Sequence, residues 1–293
     1  MAYDNSAYWK GIHEKYAGAL RAVGHPDLSE TANALKYQSE AKSAAESLEI
    51  ASKGLSGLGS KPVEYLDVGA GTGYWTRLVS EILSQAGFKI NVTALDISES
   101  ALAGIKEKLP EAVTFQADLK TISKDQFAER FDLVTACYCL HHLVRAADFA
   151  NALSFCASSV APGGFFLLMD PVLTMRYSPF DVIDFKTYKG NGVVRHRHFI
   201  EDLASSEGLV LTDIRPAVSF LLNGGIEAGN AMFYRTADKL WRTLGKRVFQ
   251  SEDRTRLLAS PLQKADEALK NMGRGYSSSI LLFRKETLND RAL

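Results

Sequence analysis

Several things are scarce in this chain, and each scarcity narrows what it does. Cysteine occurs only three times in 293 residues, as Cys137, Cys139 and Cys156. An odd count without metal-type spacing argues against a disulfide framework and for reduced thiols, hence a cytoplasmic location. Excess charge is missing too: 34 Lys+Arg balance 34 Asp+Glu. No global field is present to attract nucleic acid or an anionic membrane, so the expected substrate is a small molecule or a local piece of something larger. Long apolar runs are absent, the longest being Gly164 to Met169, far too short to cross a bilayer. The first ten residues, MAYDNSAYWK, are polar, so a signal peptide is not expected. Neither an internal repeat nor a low-complexity tract interrupts the sequence.

What is present is enough to build a sizeable core, with 46% hydrophobic residues. The chain is organised around Val63 to Thr76, VEYLDVGAGTGYWT. An apolar run reads as a buried strand, carries Asp67 near its end and breaks into Gly69-Ala70-Gly71-Thr72-Gly73. Alternate glycines allow a tight turn and close backbone approach to a ligand. Trp75, Leu78, Val79, Ile82 and Leu83 then recur at helical spacing. The unit is therefore strand, glycine loop, helix. In the dinucleotide fingerprint the glycines fall as G-x-G-x-x-G, whereas here the third comes one residue early and Tyr74 takes the last position. No Gly-Lys-Ser/Thr follows, which excludes a P-loop.

Further acids follow in order. Asp96 ends a second strand within Phe88 to Leu95 and the residue after it, next to Ile97, about 20 residues beyond the glycines, where a carboxylate can accept hydrogen bonds from ribose hydroxyls. Asp118 and Leu119 follow a third strand, Val113 to Gln116. A fourth, Phe131 to Ala136, runs into Cys137-Tyr138-Cys139-Leu140-His141-His142-Leu143. A helix to about Val160 is stopped by Ala161-Pro162-Gly163-Gly164, before the strand Phe165 to Asp170.

This ordered set resembles the class I S-adenosylmethionine (SAM)-dependent methyltransferases. Asp67 with Gly69, Gly71 and Gly73 matches their motif I, and Phe131 to Leu143 their motif IV, an apolar strand whose loop frequently reads Leu-His-His-Leu. The resemblance runs from Val63 to Asp170 and weakens afterwards. It implies SAM as cofactor and an α/β fold: a Rossmann-like, doubly wound, seven-stranded sheet with a terminal antiparallel strand, N-terminal helices and a helical insertion before the last strand. It further implies cofactor contacts from Asp67, Gly69, Gly71, Gly73, Asp96, Ile97, Asp118, Leu119 and Ala136, with Asp118 meeting the adenine amino group and Leu119 packing on the ring.

The flanks are read as additions to residues 61–293, the methyltransferase domain. Residues 1–60 form a helical lid or substrate segment, with a helix from Glu30 to Leu48, a connector from Lys53 to Lys61, and Tyr16 and Tyr37 offered to the cofactor. Trp9, His13 and Tyr16 share one helical face, which packs on the domain or closes over the cofactor. After the helix Ile200 to Glu207 and the strand Leu209 to Ile214, residues at about 220–275 form the insertion, with helices over Ala231–Val248 and Arg254–Met272, and Ser277 to Phe283 supplies the last strand. For the chemistry, His141 is the first choice as general base, with His142 packing beneath the loop and His198 and Asp170 as competitors. His141-His142 and His196-x-His198 have no carboxylates at supporting spacing, so no metal is expected.

The acceptor is read as a small molecule or sugar, methylated on a hydroxyl oxygen. Tyr8-Trp9, His13, Tyr16 and Leu35-Lys36-Tyr37 look like bacterial methyltransferases of polysaccharide pathways. N-methylation or another secondary-metabolite methylation, and a SAM-binding partner protein without catalysis, are the alternatives. A homodimer is left open.

Overall fold

The computed structural model describes residues 11–12, 15, 19–20, 24–174, 183–184, 192–272 and 276–287. His13 and Tyr16 lie outside these, as does Trp9, so the expectations placed on them are untested by it.

A seven-stranded sheet of order β3-β2-β1-β4-β5-β10-β9 forms the centre. Its first five strands are β1 (Val63–Val68), β2 (Ile90–Asp96), β3 (Val113–Gln116), β4 (Phe131–Cys137) and β5 (Val160–Asp170), all parallel. Alternation sorts their side chains onto two faces. Leu66, Val68, Val134, Phe166 and Leu168 join one core with helix α4 (Ala146–Ser159) and helix α5 (Arg197–Ser206), while Tyr65, Leu133, Leu167 and Met169 join another with α1 (Glu30–Leu55) and α2 (Tyr74–Gln85). With both faces covered, these strands read as nearly continuous apolar runs. Helix α3 (Glu99–Lys108) begins at Ser98, whose hydroxyl caps it by accepting the Ala101 N–H.

The last two strands of the sheet, β9 (Leu209–Ser219) and β10 (Tyr276–Lys285), complete the doubly wound pattern, β10 running antiparallel between β5 and β9. Between β9 and β10 lie α6 (Phe220–Asn223), α7 (Ala231–Leu244) and α8 (Glu252–Asn271). A small second sheet, β6 (Val172–Leu173), β8 (Val193–His196) and β7 (Ile183–Asp184) in that order, stands beyond the end of β5. Among the described residues no helix is long and apolar enough to cross a membrane.

Several boundaries differ from the sequence reading, among them strand β9, which runs to Ser219 and not Ile214, and two others have a clear physical cause. The helix expected over Glu30 to Leu48 continues to Leu55 and then tightens into a 3₁₀ turn, Ser56–Leu58. Leu48, Ala51 and Leu55 are buried at i, i+3 and i+7, so packing extends the helix into the start of the expected connector. Strand β5 starts at Val160, not Phe165. Val160 pairs with Phe131 and Phe165 with Leu133, so Pro162-Gly163-Gly164 forms a bulge inside the strand instead of a turn before it.

Asp67 occupies a structural position within this frame. It is 1% exposed, and its carboxylate accepts the hydroxyls of Thr76 on α2 at 2.6 Å and Thr135 on β4 at 2.8 Å. It pins the first strand to the helix after the loop and to the neighbouring strand. Burial pushes its pKa up to about 6 against those two hydrogen bonds. A folded-state pKa above the unfolded value means stability is greatest below the unfolded pKa and is lost as pH rises toward the folded one. Between about pH 4 and pH 6 the wild-type chain should therefore lose stability that Asp67→Asn keeps, a difference on the order of 3 kcal/mol. Denaturant titrations of both proteins across that range check it, and parallel pH profiles would contradict it.

Candidate functional site

A pocket of about 850 Å³ opens at the carboxyl ends of β1 to β4, where open α/β sheets place ligands. Its floor is the glycine loop. Gly69, Gly71 and Gly73 take positive φ of 71°, 53° and 76°, a conformation side chains disfavour. At Gly69 a Cβ would also stand 2.4 Å from Cβ of Cys139, so the close approach of the two loops requires glycine. The N–H groups of Gly69 and Ala70 both donate to the Leu95 carbonyl, at 2.8 and 3.0 Å. Asp96, 7% exposed at the end of β2, accepts the Gly71 N–H through Oδ2 and the Ser98 N–H through Oδ1, each at 2.8 Å. One carboxylate thus fixes both turns that border the pocket.

Most of the sequence-derived cofactor residues meet here. Gly69, Gly71, Asp96, Ile97, Asp118, Leu119 and Tyr37 all line the pocket. Asp118 shapes its own turn as well, accepting the Lys120 N–H at 2.9 Å. Three do not line it. Asp67 lies beneath the loop, in the contacts described above. Gly73 serves packing, since a Cβ there would sit 2.9 Å from Ile105 Cγ1. Ala136 is fully buried within β4, and the lining at that strand comes from Cys137, Tyr138 and Cys139 beyond it. Sequence reasoning also passed over Tyr74 and Trp75, which line the pocket and form an aromatic cluster with Tyr37, ring centroids 4.6 to 5.8 Å apart. The available signal was Tyr74, where the dinucleotide fingerprint has glycine.

The positions of the two histidines are the reverse of those expected. Leu140–His142 is a 3₁₀ turn, and it delivers His142, not His141, to the pocket. His141 turns to Asp170 at the end of β5: its Nδ1 is 2.8 Å from Oδ1, its N–H donates to Oδ2, and Gly192 packs against its ring. Burial pushes Asp170 up to about 8 and His141 down to about 3, with Arg195 and Lys36 adding to the second shift. Buried and paired with Asp170, His141 is turned away from the pocket. Its ring lies against that of His142, tilted by 39° at a centroid distance of 3.9 Å. His198 sits in the first turn of α5 with its side chain 61% exposed, Nδ1 3.3 Å from Glu201, and does not line the pocket. Among the described residues, no group of three or more His, Cys, Asp or Glu could hold a metal ion.

Comparison with known proteins agrees with this geometry. Residues 66–166 match the family model for a methyltransferase domain, a stretch that runs from inside β1 into β5 and carries nearly all of the pocket lining. Among curated proteins, none matches the sequence. The methyltransferase of Haloferax volcanii solved in complex with its Trm112 activator is 12% identical with a TM-score of 0.51, over 98% of this chain and 100% of that one. A protein of Galdieria sulphuraria assigned as a sarcosine dimethylglycine methyltransferase is 17% identical with a TM-score of 0.50, over 81% of this chain and 84% of that one. At such identities the likeness is one of fold. The glycine cradle, the carboxylate at the second strand and the apolar shelf of Ile97 and Leu119 suit a nucleoside joined to an amino acid and carrying no phosphate. Residues 66–166 match a methyltransferase domain, and the chain that carries them has the fold of these methyltransferases.

Proposed function

We propose that this chain transfers the methyl group of SAM to a hydroxyl oxygen of a small-molecule or sugar acceptor, with His142 as general base. The observation that supports the reading is the arrangement of the pocket: a complete cofactor lining leads to a histidine on the motif IV loop. When bound, SAM supplies an electrophilic methyl on a positively charged sulfur. The chain would hold it through Asp96 at the ribose hydroxyls, Asp118 and Leu119 at the adenine, and the backbone of Gly69 and Gly71 at the amino-acid end. Tyr37, Tyr74 and Tyr138 would wall the far end and exclude water. His142 would receive the proton of the acceptor hydroxyl at a ring nitrogen, and contact with the ring of His141, itself tied to Asp170, would fix its orientation. The helices between β9 and β10, together with residues 1–60, are proposed to complete the acceptor side.

N-methylation is the second reading within enzymes; it would spare the base when the amine is already neutral. A SAM-binding protein without catalysis is the reading from another class. Incubation with methyl-labelled SAM and small-molecule extract, followed by mass spectrometry, separates the three: a methyl ether, a methylamine, or no labelled product.

Two outcomes are expected. S-adenosylhomocysteine (SAH) and SAM should raise the melting temperature while NAD does not, because the loop lacks dinucleotide spacing; equal stabilisation by NAD would overturn the cofactor reading. With the acceptor in hand, His142→Ala should lower kcat by about 10²-fold while SAH affinity stays near wild type, the loss expected for a general base. If His141→Ala alone produced that profile, the roles given to the two histidines would be wrong.

A further inference from the structure

Behind the tyrosine wall of the pocket, α1 carries a buried ion pair that the chemistry above does not use. Lys36 and Glu40 are 3% and 0% exposed, with Nζ 2.8 Å from Oε1. Oε1 also accepts the Tyr138 hydroxyl, while Oε2 has no hydrogen-bond partner. The Lys36 ammonium lies 4.7 Å from the Tyr37 ring centroid and 4.2 Å from that of Tyr138, the two rings that separate the pair from the pocket. Tyr138 itself stands at φ 55°, a left-handed conformation costly for an aromatic residue, and its hydroxyl is also 2.6 Å from Ser278 Oγ. Stability alone does not account for this arrangement. A buried pair with an unsatisfied oxygen is commonly no better than an apolar pair of the same size.

We propose that Lys36 and Glu40 set the preference of the pocket between the positively charged sulfonium of SAM and the neutral thioether of its product, SAH. The inference rests on the proposed function and takes the sulfur to lie at the Tyr37 and Tyr138 end, beside the motif IV loop that carries His142. SAM and SAH differ there by one methyl group and one positive charge. A charge on either member of the pair reaches that position through two rings and little water, so it is weakly screened. Glu40 favours the sulfonium and Lys36 opposes it. Other charged or titratable groups lie around the pocket: Asp96 at the end of β2, Asp67 beneath the glycine loop, Asp170 at the end of β5, His142 on the motif IV loop and Arg195 on β8. Asp96 and His142 line the pocket, and Asp67 and Asp170 hold other elements in place. Lys36 and Glu40 stand one ring removed, so exchanging them alters charge without altering the lining.

The test is titration calorimetry with SAM and with SAH on three proteins. Relative to wild type, Glu40→Gln should weaken SAM against SAH by roughly 15-fold, the size expected for losing a unit charge about 10 Å away at an effective dielectric of about 20. Lys36→Met should move the ratio in the opposite direction. SAH affinity should stay within about twofold in both variants, which also certifies that they fold. An unchanged ratio in both variants, or shifts of the same sign, would overturn the inference. If Glu40→Gln fails to fold because Lys36 is left buried without its partner, Lys36→Met decides alone, and a ratio equal to wild type overturns it. Wild-type protein that binds neither ligand would instead refute the cofactor reading, an outcome distinct from the other failures.

Discussion

The carboxylate of Asp96 holding the Gly71 N–H is the contact on which the pocket depends. A loop with three glycines at positive φ has many conformations open to it when unfolded, and ordering it is entropically costly. The charge-assisted bond from the second strand selects one of them. Two backbone donors on the Leu95 carbonyl hold the start of the same loop, and Cys139, packed over Gly69 with its thiol donating to the Val68 carbonyl at 3.1 Å, closes it from the side of β4. Three strands therefore determine one turn. The surface this turn presents to a ligand is preorganised, which spares binding the expense of arranging it.

Much of this was legible in the sequence, for identifiable reasons. Parallel strands covered on both faces become short apolar runs, and the motifs at their ends, Asp67 to Gly73, Asp96, Asp118 and Phe131 to Leu143, lie within a few residues of those runs. Order along the chain then maps directly onto position at one edge of the sheet. The seven strands and the antiparallel course of the last follow the same logic, since Ser277 to Phe283 had only one vacancy to fill. Less legible were the contacts whose partners are remote in sequence. Asp67 was assigned to the cofactor because it precedes the glycines, yet its hydrogen bonds go to Thr76 and Thr135, the latter 68 residues away. The His141-His142 pair was decided by two facts outside its own pattern: a 3₁₀ rather than α-helical turn, which changes the angle between successive side chains, and Asp170 waiting at the end of β5. Tyr138 and Glu40 meet across 98 residues, and no local spacing announces such a pair.

The pocket couples two kinds of region. Residues 66–166 supply the loop, the acids and the motif IV turn, while α1 brings Tyr37 to the opposite wall with Lys36 and Glu40 behind it, and β10 brings Ser278 to the Tyr138 hydroxyl. The matched domain is thus incomplete as a cavity without its flanks. Division of labour of this sort lets cofactor binding stay fixed while the remaining wall varies with the acceptor.

The central claim is that Asp96 organises a SAM-binding pocket. It is tested most directly by titrating wild type and Asp96→Ala with SAH in a calorimeter, with a thermal melt to establish that the variant is folded. The account predicts that the folded variant loses about 1.5 to 3 kcal/mol of binding free energy, the size of the hydrogen bonds made to a charged acceptor. A folded Asp96→Ala protein that binds SAH as tightly as wild type would contradict it.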